Sequence, residues 1–113
     1  MTLDQLLDHS LAKDEVEESF PFGPDVLVLK VRGKVFLLIS LDKDPLQFNA
    51  KCNPERAIEL RETYASITPG YHMNKKHWNT IILDGTVPSR LIYELIDHSY
   101  ELVNAKPLWK KRR

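Results

Sequence analysis

The alternation of apolar and polar residues predicts a short helix and then a β-hairpin in the first third of the chain. Leucines recur at helical spacing over about residues 2–12, behind a capping-box pattern of threonine and glutamine. Two apolar runs, VLVLKV and VFLLISL, follow and are separated by Arg32, Gly33 and Lys34. A glycine-containing break between two such runs is typical of a tight hairpin turn.

The middle of the chain predicts a half-buried strand and a second helix. The segment LQFNAKC, residues 46–52, alternates between apolar and polar residues, as a strand with one buried face does. Its apolar side ends at Cys52, which is therefore expected to be a buried structural thiol. Asn53 followed by Pro54 is typical of a helix start, and the sequence TPG at 68–70 then ends the helical pattern.

The last third predicts one more strand and one more helix. The segment WNTIILDG indicates a strand that begins at Trp78 and closes in a turn at Asp84 and Gly85. Pro88 fits the first turn of a final helix, whose apolar residues form a continuous stripe.

Together these elements predict one α+β domain over residues 1–105, followed by a basic tail at 106–113. A chain of 113 residues can bury one core but is too short for two. Three helices and about four strands, joined mostly by short links, indicate an antiparallel sheet with helices packed on one face. The open face of the sheet is expected to carry Gln47, Asn49 and Lys51, with Lys30 and Arg32 near the hairpin tip and Val26 and Val28 beside them.

The composition is that of a soluble globular protein. Hydrophobic residues make up 42% and charged residues 28%, and no segment approaches the roughly 20 apolar residues that span a bilayer. The N-terminus lacks the basic and apolar regions of a signal peptide. We therefore expect a cytoplasmic protein without membrane contact, and a monomer.

The net charge of zero conceals an asymmetry along the chain. Residues 1–25 hold seven acidic residues and one basic residue, a net charge of −6, whereas residues 26–113 hold 15 basic and nine acidic residues, a net charge of +6. A polarised surface is therefore expected. The neutral total argues against strong nonspecific binding to a polyanion.

The segment YHMNKKHWNT, residues 71–80, is the densest in reactive side chains. His72 and His77, with Asp84, are conceivable metal ligands, but a spacing of five residues across a loop matches no standard zinc pattern. The simpler interpretation is that these histidines bind backbone or carboxylate groups and that Asn74 ties the loop through its own backbone. We expect no metal site here.

Catalytic patterns are weaker still. Ser99 follows His98 on one helix, and adjacent helical residues point about 100° apart, so they cannot form a nucleophile and base pair. The chain has only four glycines and no glycine-rich phosphate loop. The acidic group at 14–18 is a charged link of a kind that is usually only solvated. The expectation is a protein that is not an enzyme and has no cofactor.

The segment YHMNKKHWNTIILDGTVPSRLIYELIDHSYELV resembles the signature half of the MmcQ/YjbR family of small bacterial proteins. FPFGPDVLVLKVRGKVFLLISL and KCNPERAIELRETY resemble the same family in the same order, so that the similarity covers about residues 1–105. The resemblance implies a fold like that of the frataxin-like CyaY proteins and a DNA-binding role through two β wings. The turn at 32–34 corresponds to one wing tip, and Lys75 and Lys76 to the foot of the other.

Two functions remain open from the sequence. One is weak, electrostatic DNA binding, for which Lys75 and Lys76 beside Trp78 form a basic and aromatic group, although Trp78 is rather expected in the core. The other is a protein-interaction module, or a small-ligand binder, that uses the open face of the sheet. The candidate nucleic-acid-binding residues are Lys75, Lys76, His77, Arg32, Lys34, Lys30 and Lys51.

Overall fold

A computed structural model describes residues 1–70 and 73–105 of the chain. In these ranges the chain forms three helices and six strands. In chain order the elements are α1 (Leu3–Leu11), β1 (Val16–Ser19), β2 (Val26–Val31), β3 (Lys34–Ser40), β4 (Gln47–Lys51), α2 (Pro54–Thr63), β5 (Ile67–Pro69), β6 (Trp78–Ile82) and α3 (Ser89–Asn104).

All six strands form one antiparallel sheet in the order β1-β2-β3-β4-β6-β5. The three helices pack on one face of this sheet, with α3 lying across β3 and β4. The predicted α+β fold is thus confirmed, as are the hairpin and the three helices. None of the helices among the described residues is long and apolar enough to cross a membrane.

Two of the six strands, β1 and β5, were not predicted by the sequence pattern. β1 has four residues of sequence VEES within the acidic link, and β5 has three residues within the segment interpreted as the end of a helix. Neither segment shows apolar alternation, because each strand is held by the edge of a neighbour, β2 or β6, rather than by its own buried face.

The core lies between the helices and the facing side of the sheet. Leu6 of α1, Ala57 of α2 and Ile96 of α3 have no exposed surface or almost none, and they belong to the same cluster as Leu29 and Phe48 of the sheet. Cys52 is also buried in this cluster, as expected, and burial raises the pKa of its thiol despite the opposing effect of nearby arginines.

The predicted starts of α1 and α2 are confirmed in atomic detail, whereas α3 begins at Ser89 and Pro88 is its N-cap residue rather than part of its first turn. Thr2 and Gln5 form the reciprocal capping box, and the side-chain oxygen of Asn53 accepts hydrogen bonds from two backbone N–H groups of α2. The backbone N–H of Asn53 itself donates to Nε2 of His98 on α3, at 3.1 Å. The start of α2 is thereby fixed to α3.

One buried hydroxyl joins α3 to the two central strands. A bulge in β3 leaves Phe36 without a partner on β2, and the carbonyl oxygen of Phe36 accepts a hydrogen bond of 2.6 Å from Oγ of Ser99. The same Oγ accepts a hydrogen bond from the backbone N–H of Lys51, at 2.9 Å. Because Ser99 has no exposed surface, both backbone groups depend on it in place of water.

We predict that Ser99→Ala destabilises the protein by about 1–3 kcal/mol, since it leaves a buried carbonyl and a buried N–H unpaired. Urea unfolding measures this free energy. Ser89→Ala, at an exposed position at the start of the same helix, is the matched control and should change it by less than about 0.5 kcal/mol. Equal, small effects of both substitutions would contradict the role assigned to Ser99.

We also predict a pH-dependent contribution from His98. Burial, and secondarily the positive charge of Arg56, lowers its pKa below the ordinary value of 6.5. Between these two values the unfolded chain holds more protons than the folded one, so this contribution to stability is complete above pH 6.5 and declines as the pH falls below it. His98→Gln keeps a hydrogen-bond acceptor without titrating. Its pH profile of stability should lack this decline, and identical profiles for the two proteins would contradict the prediction.

Candidate nucleic-acid interface

The face of the sheet opposite the helices is defined by the strand register. On β4, Phe48 and Ala50 face the helices, so Gln47, Asn49 and Lys51 face away from them, as predicted. The register carries this face onto the neighbouring strands: it includes Val26, Val28 and Lys30 on β2, Val35, Leu38 and Ser40 on β3, and Trp78, Thr80 and Ile82 on β6.

Four of these residues, Lys30, Val35, Lys51 and Trp78, form a row across one end of the face. Lys30 lies opposite Val35, and Lys51 lies opposite Trp78. The bulge at Phe36 shifts the register so that Val35, rather than its neighbour, shares the face with the lysines. Trp78 was expected in the core; it is instead half-buried on the outer face, because β6 has apolar residues on both sides and periodicity cannot distinguish them.

The link before β6 brings two further lysines to the same end of the sheet. The backbone N–H of Cys52, just after β4, donates to the carbonyl of His77 at 2.8 Å, and the guanidinium of Arg61 donates to the carbonyl of Lys75 at 3.0 Å. Oδ1 of Asn74 accepts from the N–H of Lys76, the local tie expected from the sequence. Lys75 and Lys76 are exposed, whereas His77 is half-buried; His72 lies outside the described residues.

Arg32 does not join this group. It occupies the hairpin turn with a left-handed φ of 52°, followed by Gly33 at 79°, and its Nε donates to the carboxylate of Glu15 at 3.0 Å. Together with Glu15 it lines a recess beside Tyr100 of α3, on the helix side of the sheet. The expected position of Arg32 beside Lys30 is therefore wrong, because the turn ends the strand alternation and the carboxylate holds the guanidinium on the other side.

The candidate lysines lie at one end of the strands, and acidic residues lie in the links at the opposite end. We call Lys30, Lys34, Lys51, Lys75 and Lys76 the basic end; Lys34 lies opposite Val31, which faces the helices, so it belongs to this end of the sheet but not to the outer face. None of the five forms an ion pair with another described residue, although Glu17 of β1 lies opposite Lys30. The links at the other end of the same strands carry acidic residues, namely Asp25, Asp42, Asp44 and Asp84, together with Lys43.

Asp84, at that other end, is held by hydrogen bonds to neighbouring side chains. Its carboxylate accepts hydrogen bonds from the hydroxyls of Ser66 and Thr86. These bonds, with that of Ser66 first, lower the pKa of Asp84 to about 2. No group of three histidine, cysteine or acidic side chains within residues 1–70 and 73–105 is arranged to hold a metal ion.

The middle of the outer face is a concave groove of about 460 Å³. It is lined by residues of β2, β3 and β4 and by Phe22, Lys43 and Met73 from three links. Phe22 is 69% exposed. The lining residues are Phe22, Val26, Val35, Leu38, Ser40, Lys43, Gln47, Asn49 and Met73.

The groove was not predicted as a cavity, although the sequence did show its composition. Val26 on the outer face was a visible exception to a polar surface. Apolar residues on a supposedly open face are the signal that something covers or binds them. What the sequence could not show is that Phe22 and Met73, from links distant in the chain, line one groove together with these strand residues.

The fold and this face define a small α+β protein with one helix-covered and one grooved, lysine-rich sheet face. The family model YjbR matches residues 11–102, and the chain belongs to the YjbR family. The resemblance seen in the sequence is thereby confirmed.

The relatives are bacterial proteins. YjbR of Escherichia coli K12 is 34% identical over 113 residues, which cover 99% of this chain and 96% of that protein. YbdF of Escherichia coli O157:H7 is 40% identical over 88 residues, covering 78% and 72%. Both are named as uncharacterized proteins. A crystal structure from Deinococcus radiodurans, described as a DUF419 domain, is 44% identical, with a TM-score of 0.89 and coverage of 93% of this chain and 80% of that one.

We predict that Gly70→Ala disturbs Trp78. A Cβ on Gly70 would lie 2.8 Å from Cβ of Trp78 and 3.0 Å from its carbonyl oxygen, so the strand pair must shift. The expected cost is about 1–3 kcal/mol in urea unfolding, with a changed emission of Trp78 in a Trp109→Phe background. Glu62→Ala, at an exposed position on α2, should change neither quantity. An unaltered spectrum and stability for Gly70→Ala would refute this close packing.

Proposed function

We propose that this protein is a cytoplasmic nucleic-acid-binding protein, not an enzyme, and that it binds weakly and mainly through the charges of the basic end. The observation that carries the proposal is the convergence of five lysines from β2, β3, β4 and the link before β6 at one end of the sheet. None of them is neutralised by an ion pair with another described residue. Lysines grouped in this way, next to an aromatic ring, suit phosphate oxygens.

The side chains that resemble a catalytic pair serve the backbone instead. Ser99 binds the central strands, and His98 accepts from the N–H of Asn53. Both groups are therefore occupied by structural roles, which favours a binding protein over a hydrolase.

The strength of binding follows from the number of phosphates that the site can neutralise. If each of the five lysines contacts one phosphate of a duplex, the affinity should fall with salt with a log–log slope of about −4.5. The zero net charge of the whole chain limits any further attraction.

Fluorescence anisotropy of labelled duplex and single-stranded DNA, titrated with the full chain at two salt concentrations, tests the proposal. The four consecutive basic residues at the end of the tail, Lys110, Lys111, Arg112 and Arg113, attract DNA by charge alone. A variant with these four residues replaced by alanine is therefore measured alongside. Saturable, salt-sensitive binding that survives in the tail variant supports the proposal, and its absence at low salt refutes it.

We predict that Lys75→Glu with Lys76→Glu weakens DNA binding at least about tenfold and lowers the salt slope by about two, because two phosphate contacts are lost. Lys43→Glu with Arg90→Glu is the matched control. It makes the same change in net charge at exposed positions away from the basic end and should have a much smaller effect.

Circular dichroism must show that both double variants are folded. An unchanged affinity in the folded Lys75 and Lys76 variant would show that these two lysines do not contact the DNA. An equal loss in the two variants would mean that only net charge matters.

The second candidate function is a binding module, for another protein or a small ligand, that uses the outer face of the sheet. The groove favours it, since its volume of about 460 Å³ falls in the range of ligand sites and its lining is mostly apolar. Salt separates the two candidates: an apolar interface should respond little to ionic strength, whereas phosphate contacts weaken steeply.

A further inference from the structure

We infer that the preferred partner is a single-stranded nucleic acid that crosses the outer face of the sheet, with one base stacked on Trp78 and a neighbouring base in the groove. This inference rests on the proposed function and adds to it the form of the nucleic acid and the residues that read it. Trp78, beside the lysines, and the apolar groove would then contact the same strand of nucleic acid.

The first step is the order of side chains across the sheet. Lys30, Val35, Lys51 and Trp78 lie on the four consecutive strands β2, β3, β4 and β6. Neighbouring strands are roughly 4.8 Å apart, so the row spans about 14 Å. A strand of nucleic acid that runs along this row meets two phosphate-binding groups and one aromatic ring in sequence.

The second step is the position of the groove beside the row. Val35 belongs to both, so a base that leaves the row towards the middle of the sheet enters the groove directly. Phe22 also lines the groove, and its large exposed fraction leaves a ring surface for stacking.

The floor of the groove also offers polar groups for a base edge. The hydroxyl of Thr80 donates to Oδ1 of Asn49, which fixes the orientation of that amide and leaves its Nδ2 as the donor for an acceptor on a base. Gln47 and Ser40 lie on the same floor and line the groove as well. Apolar walls with a few amide and hydroxyl groups match the flat, hydrogen-bonding shape of an unpaired base.

The third step is the choice of a single strand over a duplex. In a duplex the faces of the bases are stacked on each other, and only the phosphates and base edges are accessible. A ring such as Trp78 and an apolar groove gain from contact with base faces, which single strands expose. Charge complementarity attracts either form, so the bases decide between them.

The test uses the full chain carrying Trp109→Phe, so that Trp78 is the one remaining tryptophan. Three probes of equal length are compared: single-stranded oligothymidine, an abasic single strand with the same phosphates, and a duplex. We expect oligothymidine to quench the emission of Trp78 and to bind at least tenfold more tightly than the abasic strand. The duplex should bind more weakly than oligothymidine at the same salt concentration.

Two substitutions locate the contacts. Trp78→Ala should weaken oligothymidine binding about 5- to 150-fold, the value of one stacked base, and leave the abasic strand unaffected. Phe22→Ala should also weaken it and is expected to fold normally, since Phe22 is largely exposed. Phe20→Ala is its matched control, an aromatic residue that is 50% exposed in the same link but does not line the groove.

The outcomes separate this inference from the proposed function. Equal affinity for oligothymidine and the abasic strand, or tighter binding of the duplex, would overturn the inference and leave phosphate binding standing. No binding of any probe would overturn both. If Phe22→Ala behaves like Phe20→Ala towards oligothymidine but abolishes a dimer in sedimentation, the groove is an interface between two copies and the inference is wrong.

Discussion

The outer face of this protein depends on a single buried hydroxyl on its inner face. The hydroxyl of Ser99 donates to the carbonyl of Phe36 and accepts from the N–H of Lys51, and these two hydrogen bonds fix α3 to both central strands. The carbonyl of Phe36 is available because a bulge leaves it unpaired on β3. The same bulge turns Val35 to the outer face beside Lys30, so the geometry of the lysine row is set from the helix side.

Charge is organised along the strands rather than between the faces. Antiparallel pairing brings alternate links to the same end, so lysines far apart in the chain meet at one end and aspartates at the other. Arg32 is the exception, since Glu15 pairs with it on the helix side. Among the bases of the hairpin, Arg32 forms an ion pair with the acidic N-terminal segment, whereas Lys30 lies opposite Glu17 without an ion pair and Lys34 is exposed.

Elements with a long sequence pattern were predicted correctly, and elements with a short one were missed. Helices with caps and strands with clear alternation, such as 46–52, were predicted correctly, because periodicity over five or more residues reports which face is buried. β1 and β5 were not predicted because they have only four and three residues and are held by hydrogen bonds to the neighbouring strands β2 and β6. Trp78 was assigned to the wrong side because an apolar residue on a strand buried on both faces carries no periodic signal.

Local sequence patterns were enough to predict the fold class, the starts of α1 and α2 and the buried cysteine, and the resemblance of longer segments indicated the bacterial family. The convergence of the lysines, the position of Arg32 on the helix side and the groove lined by Phe22 and Met73 could not be predicted in this way. These features depend on strand register and on contacts between residues distant in the chain. A shift of one residue in the pairing register of a strand would move each of its side chains to the opposite face of the sheet.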